Sequence, residues 1–507
     1  MKPLKLNILA WFALMFLLGG CASQKAGFTC PTPMVSSPVI SSRVALKNEL
    51  DGMIARELLP YSLASIKVVS LRSGSIIYET NPYLLMPAAS VQKLFTAAAA
   101  LSFLGPEHTL ETSISVDQEN STLFLKGCGD PLLKTADLAR MVAESAGKLR
   151  PGVQYKLVGD TACFDDAYWG SGWMWDDEPG PDAMYLSALS VNRNTVRVTV
   201  APGKTVSAPV QISVEPSTRY VTIDNSGITG QLGGSCKVSL TRPAGDRDNR
   251  ILVSGSLAPG CQPVRRRLTV WRPELYTLTL LKELLERSGL STVPVSLGFT
   301  PEDAIPLAST RRPLGEIITV MLKKSDNLCA ENLFKYLAHA LSGQKGTAAG
   351  GEKAVKEYLR GQGIPTDRLV IADGSGVSRY NLTNADTITR LLVAAAKDQA
   401  TFRLFATALP FAGKDGTLVN RMKGTPAERR VQAKTGTMQG VSALAGYTVT
   451  ADGEPLAFAM IVENFVGPEQ RVRKFLDRIA VLLSSYSVTT HVSAAREEKP
   501  LAAQTKY

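Results

Sequence analysis

One serine and lysine pair has the residue types and spacing needed for nucleophilic catalysis in this chain of 507 residues. Ser90 and Lys93 lie three residues apart, so a helix would place both side chains on one face, within reach of each other. A serine at the start of a helix also lies beside free backbone N–H groups, which can stabilise an oxyanion. The same spacing recurs at Ser145 with Lys148 and at Ser342 with Lys345. Both of those pairs end a predicted helix, whereas Ser90 opens one, so Ser90 is the candidate nucleophile.

Two further motifs occur once each and supply polar groups for a cleft. Ser325-Asp326-Asn327 lies between two predicted helices, where its hydroxyl and amide can project from a turn. Lys434-Thr435-Gly436-Thr437 lies on a predicted strand, and Gly436 would let a substrate backbone lie close alongside. The three motifs in this order are a stronger signal than any one of them.

In this order the motifs resemble the signature of the penicillin-recognising serine enzymes. Ser325 follows Ser90 by 235 residues, whereas Lys434 follows Ser325 by only 109. A large insertion at that place is similar to the D-alanyl-D-alanine carboxypeptidase/endopeptidase family, the class C low-molecular-mass penicillin-binding proteins. Three further stretches match this family, at Gly129–Pro131, Ala188–Asn192 and Asp373–Arg379. The resemblance covers about residues 45 to 485, and Cys128 stands where the family often has glycine.

The resemblance implies a catalytic role for five side chains. Ser90 would attack the substrate amide, and Lys93 would be its base if the amine is neutral. Partial burial and the neighbouring cation Lys434 would lower the pKa of Lys93 in that direction. Ser325 would relay the proton to the leaving amine, and Asn327 would bind the substrate amide.

The resemblance also implies a set of substrate-binding residues. Lys434, with its charge facing the cleft, would hold the terminal carboxylate together with Thr435 and Thr437, which flank Gly436. The N–H groups of Ser90 and Thr437 would form the oxyanion hole. Recognition of the substrate side chain is assigned to Asp176, Arg379 and Met438. Alternatively, the first two would form a structural ion pair and the third would simply pack.

The implied function is a serine D,D-peptidase acting on peptidoglycan stem peptides. It would remove terminal D-Ala, or cleave cross-links between D-Ala and diaminopimelate, through an acyl-serine that β-lactams would also form. A β-lactamase shares the motifs, but the long insertion and the position of Glu331, too close after Asn327 for the deacylating glutamate, count against it. A binding protein that has kept the fold and lost the chemistry is the non-enzyme alternative. A Ser-His-Asp hydrolase would have three histidines to choose from and no Gly-x-Ser-x-Gly.

The first twenty residues resemble an export signal. Two lysines precede an uncharged run of eleven residues, 8–18, which is too short to span a membrane. Leu18–Cys21 resembles the lipobox of bacterial lipoproteins, which would leave Cys21 as a lipidated N-terminus, and an ordinary signal peptide is the alternative. Ala22 favours the outer membrane by resemblance to enterobacterial sorting. We therefore expect a lipid anchor and a body on the periplasmic face of a bacterial membrane.

Export makes disulfides the natural interpretation of the cysteines. Cys236 and Cys261 flank two β-rich runs joined by a turn, so a hairpin could bring them together. Cys128 and Cys163 end two strand-like runs on either side of a predicted helix and could lie on adjacent parallel strands. The chain contains neither Cys-x-x-Cys nor His-Glu-x-x-His, so we expect no metal site and no cofactor.

Charge and composition exclude some classes of protein. With 45% hydrophobic residues the bulk of the chain should be globular. The net charge is +11, but the chain has one basic triplet, 265–267, and lacks the long Lys/Arg runs of a nucleic-acid arm. We expect no nucleic-acid partner, and a homodimer is left open.

The pattern of elements predicts a sheet with a large insert. The resemblance implies an α/β (α+β) fold with a transpeptidase domain like that of penicillin-binding proteins and β-lactamases, an antiparallel sheet flanked by helices. β-Rich runs near residues 63–78 and three more after residue 430 share one pattern, so one sheet should be built from both ends of the chain. The resemblance adds that the insert is itself interrupted by another domain. The predicted parts are a signal peptide at 1–20, a tether at 21–44, a catalytic domain at 45–105 and 306–487, inserted domains at 106–305 and a loose tail at 488–507.

Overall fold

The computed structural model describes residues 42–58, 61–243, 245 and 247–487. The predicted leader, Cys21, most of the tether and the tail lie outside these residues. Within the described part, no helix is both long enough and apolar enough to cross a membrane. Helix α1 begins at Arg43, inside the predicted tether, because Ser42 caps it by accepting a hydrogen bond from the Ala45 N–H.

The helices are α1 (Arg43–Glu57), α2 (Lys93–Leu104), α3 (Thr135–Ala146), α4 (Pro273–Arg287), α5 (Leu314–Lys323), α6 (Asn327–Ser342), α7 (Ala348–Gly361), α8 (Ala385–Lys397), α9 (Gln399–Ala408) and α10 (Glu469–Ser485). The strands are β1 (Leu63–Ser70), β2 (Ile76–Thr80), β3 (Thr109–Asp117), β4 (Thr122–Gly127), β5 (Gln154–Asp160), β6 (Thr195–Ala201), β7 (Gln211–Glu215), β8 (Thr222–Asn225), β9 (Ile228–Thr229), β10 (Cys236–Thr241), β11 (Arg250–Leu257), β12 (Val264–Thr269), β13 (Ser291–Leu297), β14 (Ile305–Pro313), β15 (Gln432–Met438), β16 (Val441–Val449) and β17 (Pro455–Glu463).

One sheet joins both ends of the described chain. Its strand order is β15-β16-β17-β1-β2, and every neighbouring pair is antiparallel. β1 pairs with β17 along its whole length, from Leu63 opposite Glu463 to Ser70 opposite Leu456. The prediction of a sheet built from both chain ends is confirmed.

Helices cover both faces of this sheet, which explains why β16 and β17 are buried almost throughout. Successive residues of a strand point to opposite faces. Along β17, Ala457 and Ala459 belong to the core that α2 and α5 to α9 share. Phe458 and Met460 belong to the core on the other face, with α1 and α10. The predicted fold class, an antiparallel sheet flanked by helices, is confirmed.

The chain between α2 and α5 forms its own sheets. A five-stranded sheet has the order β13-β5-β4-β3-β14, and two smaller sheets, one of β8 to β11 and one of β12-β6-β7, are formed by the chain between β5 and β13. β14 pairs with β3 as far as Pro313. Residues 306–313 therefore share a sheet with β3, whereas the sequence analysis expects the second catalytic segment to begin at residue 306.

Both predicted disulfides are present. Cys236 and Cys261 close the hairpin of β10 and β11, and Cys128 and Cys163 follow the parallel strands β4 and β5. His339 lies close to the second disulfide, but oxidised cysteines offer no thiolate to a metal.

Arg312 connects the insert to α5, the helix that leads to the Ser-Asp-Asn motif. Its guanidinium lies 3.4 Å from the Asp130 carboxylate, 3.3 Å from that of Asp137 on α3 and 3.1 Å from that of Glu316 on α5. Asp130 is buried, and burial raises its pKa to about 6 although the charge of Arg312 opposes the shift.

Arg312→Met is expected to destabilise the fold by about 3 kcal/mol at pH 8, because it leaves the Asp130 carboxylate buried without its cation. The loss should be smaller at pH 5. Asp130 already has a raised pKa, and without Arg312 this pKa rises further, so the folded protein binds a proton that neutralises the acid. Calorimetric melting at both pH values measures the difference. Arg311→Met, at a neighbouring side chain that is 67% exposed, is the matched control, and equal losses in the two variants would contradict the prediction.

Candidate active site

Ser90 lies in a 3-10 turn, Ala89–Gln92, that leads directly into α2 at Lys93. Ala89 has a φ of +47°, in the left-handed region that residues other than glycine rarely adopt. Backbone strain of this kind is often found at functional sites. Ser90 itself is half-buried and lines a cleft of about 520 Å³. The candidate nucleophile is therefore held by a rigid element and open to a ligand.

Lys93 is fully buried, and its amine contacts the candidate nucleophile. Its Nζ donates to Ser90 Oγ at 3.0 Å, to Asn327 Oδ1 at 2.6 Å and to the Ser375 carbonyl at 2.7 Å. The first contact is the one that the three-residue spacing predicts. The other two replace water around the amine.

Burial lowers the pKa of Lys93 to about 8, while the carboxylates of Asp373, Glu331 and Asp326 oppose the shift. The predicted cause was partial burial with help from Lys434. The burial is complete. Burial also lowers the pKa of Lys434 well below its usual value, with the charge on Lys93 as the second cause, and the repulsion between the two amines is mutual. Both amines are thus poised to lose a proton far more easily than an exposed lysine.

Ser325 occupies the break between α5 and α6, with a φ of +58°. The next residue, Asp326, caps α6 by accepting a hydrogen bond at 3.0 Å from a backbone N–H of its first turn. Asn327 is thereby the first residue of the helix and directs its amide oxygen to Lys93. Its amide nitrogen donates to the Asp182 carbonyl at 2.6 Å, which fixes the orientation of the side chain.

Lys434 is fully buried on β15, so the prediction that its charge faces the cleft is wrong. Its Nζ donates to Ser325 Oγ at 2.9 Å and to the Thr435 carbonyl at 2.7 Å. The amine therefore acts on the cleft from behind the Ser325 hydroxyl. Thr435 donates its hydroxyl to Thr417 at 2.9 Å, and Thr437 is exposed and lines the cleft.

Gly436 lies against the backbone that carries the nucleophile. A Cβ at this position would lie 2.4 Å from the Ala88 carbonyl oxygen and 3.3 Å from the Ala89 Cβ. The sequence predicts room for a substrate backbone here, but the chain's own backbone takes that room. The missing side chain lets β15 approach the turn of Ser90 and sets the distance between the two motifs.

A loop after α7, within the matched stretch Asp373–Arg379, holds the carbonyl that accepts from Lys93, and the sequence predicted a role only for Arg379 of this stretch. Asp373 is buried and accepts from two backbone N–H groups of its own loop, each at 2.7 Å, and from the Trp173 indole at 2.9 Å. Glu331 on α6 accepts from the Ser375 N–H at 2.7 Å. Burial and the charge on Asp373 raise the pKa of Glu331 to about 8. These two acids shape the loop and so place the acceptor for Lys93.

The insert also supports the site. Arg193 forms an ion pair with Asp326, with Nε and Oδ2 2.7 Å apart, and Asp182 supplies the carbonyl that holds Asn327. Arg193 has a φ of +60° and directly follows the matched stretch Ala188–Asn192, which is its signal in the sequence. Sequence reasoning did not assign either contact.

Asp176, Arg379 and Met438 line the same cleft as Ser90. Arg379 donates its guanidinium to the Gln439 carbonyl at 2.8 Å, and within the described residues no ion pair joins it to Asp176. The structural ion pair considered for these two residues is therefore not formed. Met438 packs partly against the core and also faces the cleft.

Fold and site together define a class of enzyme. An antiparallel sheet is covered by helices, and a serine lies in the turn before one helix, whose first residue is a buried lysine. A second hydroxyl lies at a helix break and accepts from a second lysine, which lies on the edge strand β15. This is the arrangement of the penicillin-recognising serine enzymes.

The profile of the D-Ala-D-Ala carboxypeptidase 3 (S13) family matches residues 46–485, and the chain belongs to that family. A D-alanyl-D-alanine carboxypeptidase of Actinomadura sp. (strain R39) is 34% identical, over 92% of this chain and 91% of its own length. The D-alanyl-D-alanine carboxypeptidase DacB of Haemophilus influenzae is 29% identical, over 78% of this chain and 84% of its own. The crystal structure of penicillin binding protein 4 (dacB) from Haemophilus influenzae matches with a TM-score of 0.74 at 27% identity, covering 85% of this chain and 97% of that one. The predicted family is confirmed, and the chain is a serine D,D-peptidase of the cell wall, acting outside the cytoplasm.

Gly436→Ala is expected to lower kcat/KM for D-Ala release from a D-Ala-D-Ala peptide by about tenfold or more. The added Cβ must displace either β15 or the backbone before Ser90, and small misplacements of catalytic groups are costly. Gly361→Ala on α7, where nothing lies within 4 Å of an added Cβ, is the control and should keep the wild-type value. An unchanged kcat/KM in Gly436→Ala would show that the approach of β15 does not set the site.

Proposed function

We propose that Ser90 is the nucleophile and Lys93 its base in the cleavage of D-Ala-D-Ala ends and of D-Ala to diaminopimelate cross-links in peptidoglycan. One observation carries this assignment. Lys93 Nζ lies 3.0 Å from Ser90 Oγ in a site where burial lowers the pKa of the lysine to about 8. A neutral amine at that distance can take the hydroxyl proton as the serine attacks.

The proposed reaction has two halves. Ser90 Oγ bonds to the carbonyl carbon of the scissile amide, its proton passes to Lys93, and the N–H groups of Ser90 and Thr437 would hold the oxyanion. When the C–N bond breaks, Ser325 would relay the proton held by Lys93 to the leaving amine, and the Ser325 hydroxyl is oriented by Lys434 at 2.9 Å. Water then adds its hydroxyl group to the acyl carbon and returns its remaining hydrogen to Ser90 Oγ, which restores the enzyme.

Because two amines are buried together, the protonation state of the base Lys93 would depend on whether substrate is bound. Lys93 and Lys434 repel each other without water to screen them, so they cannot easily both stay charged. A terminal carboxylate bound at Thr435 and Thr437 would favour the proton on Lys434, leaving Lys93 neutral. Binding of the correct chain end would then prepare the base for its task.

Asp176, Arg379 and Met438 fit a substrate side chain with an ammonium group, a carboxylate and a short alkyl stem, as diaminopimelate has. The two charged residues have opposite signs, line one cleft and leave each other unpaired there. Digesting purified sacculi and separating the muropeptides tests the substrate. Loss of both pentapeptide ends and cross-linked dimers is expected.

Ser90→Ala should abolish D-Ala release from a stem pentapeptide and labelling by a fluorescent penicillin together, since both need the same oxygen. A loss on the order of 10³-fold or more is expected for a nucleophile. Ser342→Ala is the matched control, because it alters another Ser-x-x-Lys serine, at the end of α6. Retention of either reaction in Ser90→Ala would place the nucleophile elsewhere.

The fate of a β-lactam separates the peptidase from its alternatives. The opened ring stays tethered to the acyl group and obstructs water, so the adduct should persist. Glu331 is buried behind the Asp373 loop, where it accepts from the Ser375 N–H, and is not placed to speed deacylation. The related Haemophilus influenzae protein has been crystallised in complex with a β-lactam. In intact-mass spectrometry, an unmodified mass with fast antibiotic hydrolysis would indicate a β-lactamase, and a stable adduct without D-Ala release would indicate an inert binding protein.

The value of kcat/KM for D-Ala release should rise with pH and be half-maximal near pH 8. Raising the pH removes the proton from the base, and burial lowers the pKa of Lys93 to about 8 from the ordinary lysine value of 10.5. The measurement needs a peptide substrate that does not itself titrate between pH 6 and 10. A profile that is flat or falls with pH would contradict Lys93 as the base.

We propose that the chain is a lipoprotein anchored through Cys21, on the periplasmic face of the outer membrane. The lipobox-like sequence Leu18–Cys21 and the following Ala22 support this. Cys21→Ser should lose labelling by a fatty-acid probe and stay unprocessed by the lipoprotein signal peptidase. Unchanged processing would argue for an ordinary signal peptide, and membrane fractionation tests the location.

The domain limits also stay a proposal. A catalytic domain at 45–105 and 306–487, inserted domains at 106–305 and a tail at 488–507 follow from the sequence, and the pairing of β14 supports a limit nearer Pro313. A homodimer remains a prediction, which analytical ultracentrifugation would test.

A further inference from the structure

A second cleft lies beside the active site, and the proposed reaction does not use it. It has a volume of about 730 Å³ and mostly aromatic walls, formed by Tyr168, Trp169, Trp175, Tyr185 and Trp271. The chain has five tryptophans in all, so three of them line this one cleft. Concave sites lined by aromatic rings with a few polar groups are typical of ligand binding. We call it the aromatic cleft.

The aromatic rings that line the cleft pack against one another. The ring centroids of Tyr185 and Trp271 are 4.7 Å apart, those of Tyr168 and Trp271 5.2 Å, and those of Trp169 and Tyr185 5.3 Å. Such tilted and edge-on contacts are favourable aromatic geometries. Hydrogen bonds to glutamates fix both tyrosine hydroxyl groups. Trp175 stands at the rim and is 78% exposed, an unusual amount of apolar surface to leave in water.

A few polar groups complete the walls. Asp166, Glu178 and Arg247 line the aromatic cleft, and the Arg247 guanidinium lies 5.5 Å from the Trp271 ring centroid. Ring faces beside carboxylates and a guanidinium fit a saccharide, because the C–H face of a sugar stacks on an aromatic ring while its hydroxyls form hydrogen bonds. Nucleobases also stack on such rings, but Glu178 is ion-paired with Arg242 and Asp166 balances Arg247, so the cleft lacks the excess of positive charge that a phosphate backbone needs.

One short stretch of chain separates the aromatic cleft from the active site. Trp175 and Glu178 face the aromatic cleft, whereas Met174, Asp176 and Asp177 line the cleft of the nucleophile. Neighbouring Cα atoms are about 3.8 Å apart, so ligands held by Trp175 and by Asp176 lie next to each other. Stem peptides of peptidoglycan are covalently attached to a glycan strand. A peptide in the active site therefore brings sugars close to this wall.

We propose that the aromatic cleft binds the glycan strand of peptidoglycan, with an N-acetylated sugar against Trp175 and Trp271, while the attached stem peptide enters the active site. This inference rests on the proposed peptidase function, whose substrate it extends from the peptide to the sugar. The cleft would favour stem peptides still attached to the wall over free peptides.

Binding of a peptide-free glycan tests the proposal without catalysis. The probe is a tetrasaccharide of alternating N-acetylglucosamine and N-acetylmuramic acid, titrated into the whole chain by calorimetry. The wild type should bind it, and Trp175→Ala should bind at least about fivefold more weakly. Tyr61→Ala, at an aromatic that is 83% exposed and lines neither cleft, is the matched control and should bind like the wild type. No binding by the wild type, or equal binding by Trp175→Ala, would overturn the proposal.

Kinetics on two matched substrates link the aromatic cleft to the reaction. For the wild type, kcat/KM should be at least about fivefold higher for a disaccharide-pentapeptide than for the same pentapeptide without sugar, through a lower KM. Trp175→Ala should remove this preference and leave the sugar-free value unchanged. An equal loss on both substrates would mean that the cleft holds peptide, which overturns the proposal. If the wild type released no D-Ala from either substrate, the peptidase function would fail, and the calorimetry would still decide the glycan site.

Discussion

Two lysine amines, those of Lys93 and Lys434, are buried in the active site. The surrounding protein must supply the hydrogen-bond acceptors that water gives to an exposed lysine. Lys93 has three acceptors, and each comes from a different element: the turn of Ser90, the first residue of α6 and the loop after α7. Lys434 has two, one of them the hydroxyl of Ser325. The strained backbone at Ala89 and Ser325 lies where these elements meet. Local strain is tolerated there because the network fixes the geometry on every side.

The insert is part of this arrangement. Arg193 pairs with Asp326, the residue that caps α6, and the carbonyl of Asp182 holds the amide of Asn327. Arg312, at the far end of the insert, contacts acids of both the insert and α5. The helix break that carries Ser325 is therefore held from both directions by the inserted chain. Loops attached to a rigid scaffold commonly carry function, and here an inserted domain stiffens such a segment.

The sequence predicted those features that depend on residues close together along the chain. The face shared by Ser90 and Lys93 and the hairpin that joins Cys236 to Cys261 follow from spacing along one or two neighbouring elements. The depth of Lys434, the contact of Gly436 with Ala88 and the pairing of Arg193 depend on segments distant in sequence coming together. The sheet to which β14 belongs depends on such a distant pairing as well. The residue pattern of β14 predicts a strand but does not show which sheet it joins. Its pairing with β3, almost two hundred residues earlier, places it in the sheet of the insert.

The pairing of β1 with β17 has a consequence for the order of assembly. Leu63 and Glu463 are partners although 400 residues separate them, so the central sheet cannot close until the chain is almost complete. The sheets of the insert, in contrast, are formed by strands β3 to β14. They can form earlier, because synthesis proceeds from the N-terminus and these strands are made before β15 to β17. β15, which brings Lys434, comes among the last strands to be made. A chain truncated before β15 lacks Lys434 and Gly436, so the candidate active site is complete only in a nearly full-length chain.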